Sequence, residues 1–283
     1  MHLIMILAAI SVAGLVRIRW NCLNNPNLPK NWTQRWRQAL FLLLFPPLLI
    51  LMTTIAVLCM GTQGKMGNWQ AGSLGYGFAL SYLAISGVLL IKLAYQGWQT
   101  VNSARNYPLV ELADKQVRLL DTETLFAGQI GFWHPELVVS QGMIETLDDT
   151  HLHSVLAHEQ GHYIYRDTFW FFWLGWVRSC SAWLPNTDIL WQELLVLREL
   201  RADAHAALQV DPLVLAESLL MVVSKQSLSE DIFCAAVDSC GNNRLEQRIE
   251  AILSPQQMSM EVDNQPWNLL LAFLPLIAVM FHT

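Results

Sequence analysis

Three residues in this chain have the types and the spacing for hydrolytic metal chemistry: His158, Glu159 and His162, in the run His-Glu-Gln-Gly-His. On an α-helix, positions i and i+4 share a face, so His158 and His162 can offer two imidazoles to one metal ion. Glu159 follows the first of them and can reach a metal-bound water as general base. The competing reading is an ordinary buried helix with two satisfied histidines. The preceding stretch, residues 146–157, predicts the helix itself. Asp148 or Asp149 can cap it, and Leu152, Val155 and Leu156 fall at helical spacing.

A catalytic zinc site of this kind needs a third protein ligand. The metzincin pattern would place Gly at 165 and His at 168, where this chain has Tyr165 and Thr168, so that pattern fails. Thermolysin-type sites instead take a glutamate from a second helix. Residues 190–208 predict such a helix and carry Glu193, Glu199, Asp203 and His205. Glu199 and Asp203 stand at i, i+4 on one face. One of them can bind metal while the other steadies a ligand histidine. Glu193 falls on a different face and reads as solvated. His205 also lies off that face and reads as a surface or capping residue.

His158-Glu-x-x-His162 followed by Asp167, then Arg198-Glu199-Leu-Arg-Ala-Asp203, resembles the membrane-bound gluzincin metallopeptidases. Two branches compete: the beta-lactam sensor-transducer (antirepressor) peptidases and the heat-shock and CAAX prenyl membrane proteases. Gly131-Phe-Trp-His-Pro135 with Leu137–Ser140 is similar to the Gly-x-x-x-Pro strand before the zinc helix of the first branch. Residues 243–253 resemble the arginine-isoleucine helix that closes its domain. The segment 183–188 departs from that branch's asparagine-proline order, which leaves both branches open. The resemblance covers roughly residues 105–282. It implies one Zn2+ per chain held by His158, His162 and Glu199, with Glu159 as base and Asp203 beside a ligand histidine. Glu159 would take the proton of the zinc-bound water and pass it to the leaving amine.

The elements that must position these groups are mostly apolar. Of 283 residues, 53% are hydrophobic and only 14% charged, which is unusual for a soluble domain. All 23 acids fall in residues 111–263, against nine Lys and Arg after residue 110, a formal balance of −14. That acidity argues against a nucleic-acid surface. Apolar runs at 3–16, 39–60, 74–95 and 268–281 predict about four membrane spans. A cleaved signal peptide is the rival for the first run, but no cation precedes it. Residues 17–38 carry Arg17, Arg19, Lys30, Arg35 and Arg37, whereas 61–73 carry only Lys65, so the first loop is expected in the cytoplasm. The expected architecture is therefore a mainly α integral membrane protein of a bacterial-type plasma membrane. Its parts are a membrane region at 1–95, a cytoplasmic α+β gluzincin-like zinc metallopeptidase domain at 96–267, and a C-terminal span at 268–283. Both termini are expected outside, and the lipid bilayer is an expected partner.

Residues 168–184 carry four tryptophans and three phenylalanines interrupted by Arg178, and are expected to lie in the membrane interface rather than to form a fifth span. The five cysteines show no metal-ligand spacing. Short strands are expected at 117–120, 125–130 and 137–140, the last as an edge that could align an extended peptide. Helices are expected near 212–227 and 243–253. His134, His151, His153 and Tyr165 are candidate oxyanion or substrate contacts. The chain stops at Thr283 without an extracellular sensor domain, so drug sensing is not expected. The expected activity is cytoplasmic endoproteolysis of a protein or peptide, by resemblance a transcriptional repressor or the chain itself. The alternatives are a membrane-protein quality-control protease and a non-catalytic membrane transducer.

Overall fold

The computed structural model describes residues 2–23, 31–61, 65–66, 69–70, 73–113, 115–229, 238–254, 267–277 and 279. The chain divides into two compact units, residues 1–93, 173–194 and 260–283 in the first and residues 94–172 and 195–259 in the second.

In the first unit, α1 (His2–Leu23) packs on α2 (Trp32–Met60), and a two-residue hairpin of β1 (Lys65–Met66) and β2 (Trp69–Gln70) leads to α3 (Ser73–Arg105). The core between these helices holds Ala9, Ala13, Ile50, Ile6, Val57 and Ala79. Pro46 and Pro47 lie inside α2, which continues past them. Just beyond, Thr53 and Thr54 donate their hydroxyls to the carbonyls of Leu49 and Leu51. Helices α2 and α3 are long and apolar enough to cross a bilayer. On α3 the apolar side chains face outward: Phe78, Ile85, Val88 and Ile91 are each 60% exposed or more. Water would penalise that much isolated apolar surface, whereas hydrocarbon would not.

Sequence and structure differ here in two places. Arg17 was expected to end the first span and open a loop; α1 instead runs on to Leu23, and Arg17 is fully buried. Its guanidinium donates to the carbonyls of Pro185 and Leu43 and to the Thr187 hydroxyl, and its own carbonyl accepts from Asn186 Nδ2. The arginine thus tethers a turn distant in sequence, which a local charge pattern does not reveal. Over the expected last span at 268–281, the described chain forms a 3-10 helix (Trp267–Phe273) and a four-residue α-helix (Leu274–Ile277); residues 278 and 280–283 lie outside the described residues.

The second unit holds a four-stranded sheet with strand order β3 (Leu109–Leu112), β4 (Lys115–Leu120), β6 (Glu136–Ser140) and β5 (Ala127–Ile130). β4 and β6 are parallel and the other pairs antiparallel. The three expected strands are present within a residue or two, and β3 is additional. The expectation that 137–140 forms an edge is overturned, because β6 lies at the centre. Its unbroken apolar run Leu137-Val-Val139 is the signature of a strand covered on both faces, not of an alternating edge. Among the described residues the free edges are β3 and β5.

Ser140 closes β6 and caps α4 (Gln141–Thr146), its hydroxyl accepting from Met143 N. Asp148 caps α5 (Asp149–Ile164), accepting from the backbone of Thr150 and His151. Leu152 and Leu156 of α5 pack with Val117, Leu137, Val139 and Met143 into the core over the sheet. α6 (Asp167–Cys180) is 14 residues long, short of a bilayer span. Arg178 pairs with Asp188 at 2.8 Å and lies over the Trp191 ring, so its charge is not isolated. α7 (Thr187–Ala206), α8 (Pro212–Ser229) and α9 (Asp238–Leu253) follow, and Asp211 caps α8 through Leu213 N.

Candidate metal centre

Gly161 sets the distance between the two helices that matter. A Cβ built there would meet the Ala202 Cα at 3.1 Å, so any larger residue would push α7 back from α5 by a few tenths of an ångström. The approach brings the carboxylates of α7 against the imidazoles of α5.

The Nε2 atoms of His158 and His162 lie 3.2 Å apart. Glu199 reaches both, Oε2 at 3.4 Å from His158 Nε2 and Oε1 at 3.7 Å from His162 Nε2. A tetrahedral zinc ion with ligands at about 2.0–2.2 Å separates its ligand atoms by about 3.3–3.6 Å. The donor set therefore fits zinc in both chemistry and spacing. Glu159, buried on the same helix, has its carboxylate within 4.8 Å of the imidazole nitrogens. Glu199 approaches the two imidazoles through different oxygens, Oε2 toward His158 and Oε1 toward His162, while Glu159 lies with both histidines in a group able to hold a metal ion.

Each imidazole is also held from behind. His158 Nδ1 bonds Asp203 Oδ1 at 2.8 Å, and His162 Nδ1 bonds Asp167 Oδ2 at 2.7 Å. Both Nδ1 atoms are thereby committed, and both Nε2 atoms turn toward the common point. Each carboxylate in turn has its own arginine. Arg248 of α9 grips Asp203 through Nε at 2.7 Å and a terminal nitrogen at 2.8 Å, and Arg201 pairs with Asp167. Arg201 also lies 4.2 Å above the Tyr165 ring, and Arg198, paired with Glu199 at 2.7 Å, lies over Phe171.

The electrostatics follow from this network. Burial alone would lower the His158 pKa. Its bonds to Asp203 and Glu199 outweigh that and raise it to about 10. Burial would likewise raise Glu199 and Asp203. His158, Arg198 and Arg248 hold Glu199 well below the usual carboxylate range, and Arg248 with His158 lowers Asp203. A metal arriving at His158 Nε2 must displace a tightly held proton.

The structure thus brings together His158, Glu159, His162, Glu199 and Asp203. Glu193, read as solvated, instead pairs with Arg35 at 2.7 Å. His205 bonds Gln209 and meets the edge of Tyr165. Of the candidate substrate contacts, His151 is bound by Asp148 and Glu217, Tyr165 is covered by Arg201, and His134 and His153 are exposed. Sequence reasoning noted Asp167 but gave it no role. Its position five residues past His162 works only because Arg166 adopts a left-handed conformation, φ 52°, which folds the chain back. Arg248 lies in the segment that resembles an arginine-isoleucine helix, but sequence reasoning assigned it no role.

No curated protein and no solved structure matches this chain. Residues 110–227, which carry both histidines and all four carboxylates of the centre, match the model of Peptidase family M48, and the matched domain supports a metallopeptidase of that family.

Proposed function

We propose that this chain is a zinc-dependent, membrane-bound endopeptidase in which His158, His162 and Glu199 bind one Zn2+, Glu159 is the general base and Asp203 orients His158. The observation that carries the reading is the convergence of two imidazole Nε2 atoms 3.2 Å apart with a glutamate that approaches each through a separate oxygen, Oε2 at 3.4 Å and Oε1 at 3.7 Å, and a second, buried glutamate beside them. The family of the matched domain is generally zinc-dependent. Zinc in such a site polarises the scissile carbonyl and acidifies a bound water. The chain's own residues do the rest. Glu159 accepts the water proton and returns it to the leaving amine. Asp203 and Asp167 fix which nitrogen each imidazole presents.

Substrate alignment falls to β5, not to the central β6. Its outer edge is free among the described residues, and Gln129 of β5 donates to the Glu159 carbonyl at 3.3 Å. An extended peptide paired there would pass directly over the base. That favours a peptide substrate over a small molecule.

Location and substrate are part of the proposal. The exposed apolar face of α3 supports a membrane anchor. The cation-rich segment before α2 supports a cytoplasmic catalytic domain, with both termini outside. The domain would act on a transcriptional repressor or on the chain itself. A neighbouring repressor gene would favour this over membrane quality control.

The test is zinc content and casein cleavage by detergent-purified protein, for wild type, Glu159→Gln and Glu199→Ala. Near one zinc per chain and cleavage are expected in the wild type. Glu159→Gln should keep the metal and lose turnover by about 10²–10⁴-fold, while Glu199→Ala should lose the metal. An active Glu159→Gln protein would overturn the base, and folded wild type without zinc would leave a non-catalytic transducer.

A further inference from the structure

A cavity of about 560 Å³ lies between the sheet and the C-terminal half of α5. Leu156, Gln160 and Tyr163 form its helical wall, and Lys115 of β4, Gln129 of β5 and Leu137 of β6 line it from the sheet. It is separate from the metal centre. At about 100° per residue, Gln160 points roughly 160° away from both His158 and His162. This wall is therefore the side of α5 turned from the metal ligands.

What distinguishes the cavity is a cation without a counter-charge. Lys115 is half-buried, and its ammonium donates to the Gln160 side-chain oxygen at 2.8 Å. No carboxylate pairs with it among the described residues, and burial lowers its pKa. Arg118, which also lines the cavity, is already engaged by Glu136 at 2.8 Å and by the carbonyls of Arg105 and Tyr107. Gln129 is engaged by the Glu159 carbonyl. An ammonium carries three donors, so Lys115 keeps two for a ligand. Gln160 accepts from Lys115 through its oxygen, which leaves its amide nitrogen to donate to the same ligand.

The chemistry of the occupant follows from these groups. One available cation matches one negative charge, and the Glu136 carboxylate in the same wall would repel a second. That favours a carboxylate over a phosphate. Leu109, Pro135, Leu137 and Leu156 supply surface for an apolar body behind the charged head. Small-molecule sites span about 300–1,000 Å³ and combine apolar walls with a few convergent polar groups, which is the makeup found here.

We propose that this cavity binds a monocarboxylate with an apolar body, the carboxylate held by Lys115 and the Gln160 amide and the body laid against Leu109, Pro135 and Leu137. The site goes beyond the peptidase reading and stands without it. A free aryl-substituted acid and the C-terminus of a peptide ending in an apolar residue both present this chemistry.

The test is ligand-observed fluorine NMR on the full-length protein in nonionic detergent. The probes are 4-(4-fluorophenyl)butyrate and acetyl-glycyl-glycyl-4-fluorophenylalanine, each beside its neutral amide. Saturating acetohydroxamate covers any metal in the centre. At least one acid should bind roughly 10- to 100-fold tighter than its amide, the contribution of one charge-assisted hydrogen bond. Whichever acid binds tighter identifies the source. Lys115→Gln should erase the difference and Lys115→Arg should keep most of it. Leu109→Asp, on an exposed edge residue, brings a like charge to the cavity and should weaken the acids but not the amides. Acetate and inorganic phosphate should compete at least tenfold less well than the aryl acid. Acids bound no tighter than amides, affinity unmoved by both Lys115→Gln and Leu109→Asp, or displacement by acetohydroxamate would overturn the site. So would competition by acetate or phosphate as effective as that of the aryl acid.

Discussion

Gly161→Ala is a one-methyl perturbation whose consequences divide between stability and metal binding. The added Cβ would stand 3.1 Å from the Ala202 Cα and 3.4 Å from its Cβ and carbonyl oxygen. The nearest atom is backbone, so α7 itself must give by a few tenths of an ångström. Two terms oppose each other. Replacing a mid-helix glycine by alanine favours the helix by about 1 kcal/mol, while overpacking a tight contact costs about 1–3 kcal/mol. The net effect on folding is small, from neutral to a loss of about 2 kcal/mol. Metal binding has no such compensation. Ala202 sits between Arg201 and Asp203 and three residues past Glu199, so its displacement carries both carboxylates away from the imidazoles. The Glu199 to His162 separation is already 3.7 Å, at the long side for a shared metal. Zinc affinity should fall about 10- to 100-fold, the range seen when groups supporting metal ligands are disturbed. The assay is chelator competition for zinc, run beside thermal unfolding of the metal-free protein. A second change, Ala202→Gly, removes the 3.4 Å Cβ contact but not the 3.1 Å one, so it should restore affinity only in part. Wild-type affinity in Gly161→Ala, together with a higher unfolding temperature, would refute the claim that this contact sets the site.

Asp167→Asn should lower zinc affinity about 10- to 100-fold without changing the reaction's pH optimum, checked by the same competition and a pH-rate profile. Arg248→Ala removes the cation from a buried carboxylate; chemical denaturation should show a loss of about 3–5 kcal/mol, and Arg248→Lys should recover only part, since a lysine lacks the two-pronged grip. Gly142→Ala would place a Cβ 2.1 Å from the Glu123 carbonyl oxygen, so limited proteolysis should find residues 109–146 unprotected, whereas protected protein would show that the 121–126 loop can yield. In the metal-free protein His158 titrates higher folded than unfolded, so its stabilisation is full below about 6.5 and lost as pH rises through about 10. Glu199 and Asp203 act oppositely, stabilising above their unfolded values and failing on acidification. Denaturation midpoints of chelator-treated protein between pH 4 and about 10.5 should thus fall toward both ends, and a profile rising steadily to the alkaline end would contradict the histidine assignment.

The centre was legible where its residues share a helix. The i, i+4 rule places His158 with His162 and Glu199 with Asp203, and it offers the α7 pair one role each. It cannot tell which carboxylate does which. That division comes from helix packing, which points Glu199 at the Nε2 atoms and Asp203 at Nδ1. Asp167 escaped because its use depends on the left-handed turn at Arg166, a conformation that arginine does not advertise. Arg248 lies 45 residues from Asp203, and no spacing rule spans that distance. Strand positions were readable from short apolar runs, but the central place of β6 required taking its lack of alternation as evidence. Arg17 shows the opposite error: a cation at the end of an apolar run was taken for a loop residue, while the tertiary structure buries it against carbonyls.

The Arg248 grip on Asp203 also sets an order of events during synthesis. Every ligand and carboxylate of the centre has been translated by residue 203, yet Asp203 is 1% exposed and has no arginine until residue 248 emerges from the ribosome. The nascent chain therefore carries both histidines and all four carboxylates of the centre while Asp203, bonded to His158, still lacks its arginine. A ribosome-bound intermediate that ends before residue 248 should therefore be a poor metal acceptor. The same reasoning governs fragments: a piece trimmed to the matched segment, 110–227, would contain the motif but lack the arginine that lets it mature.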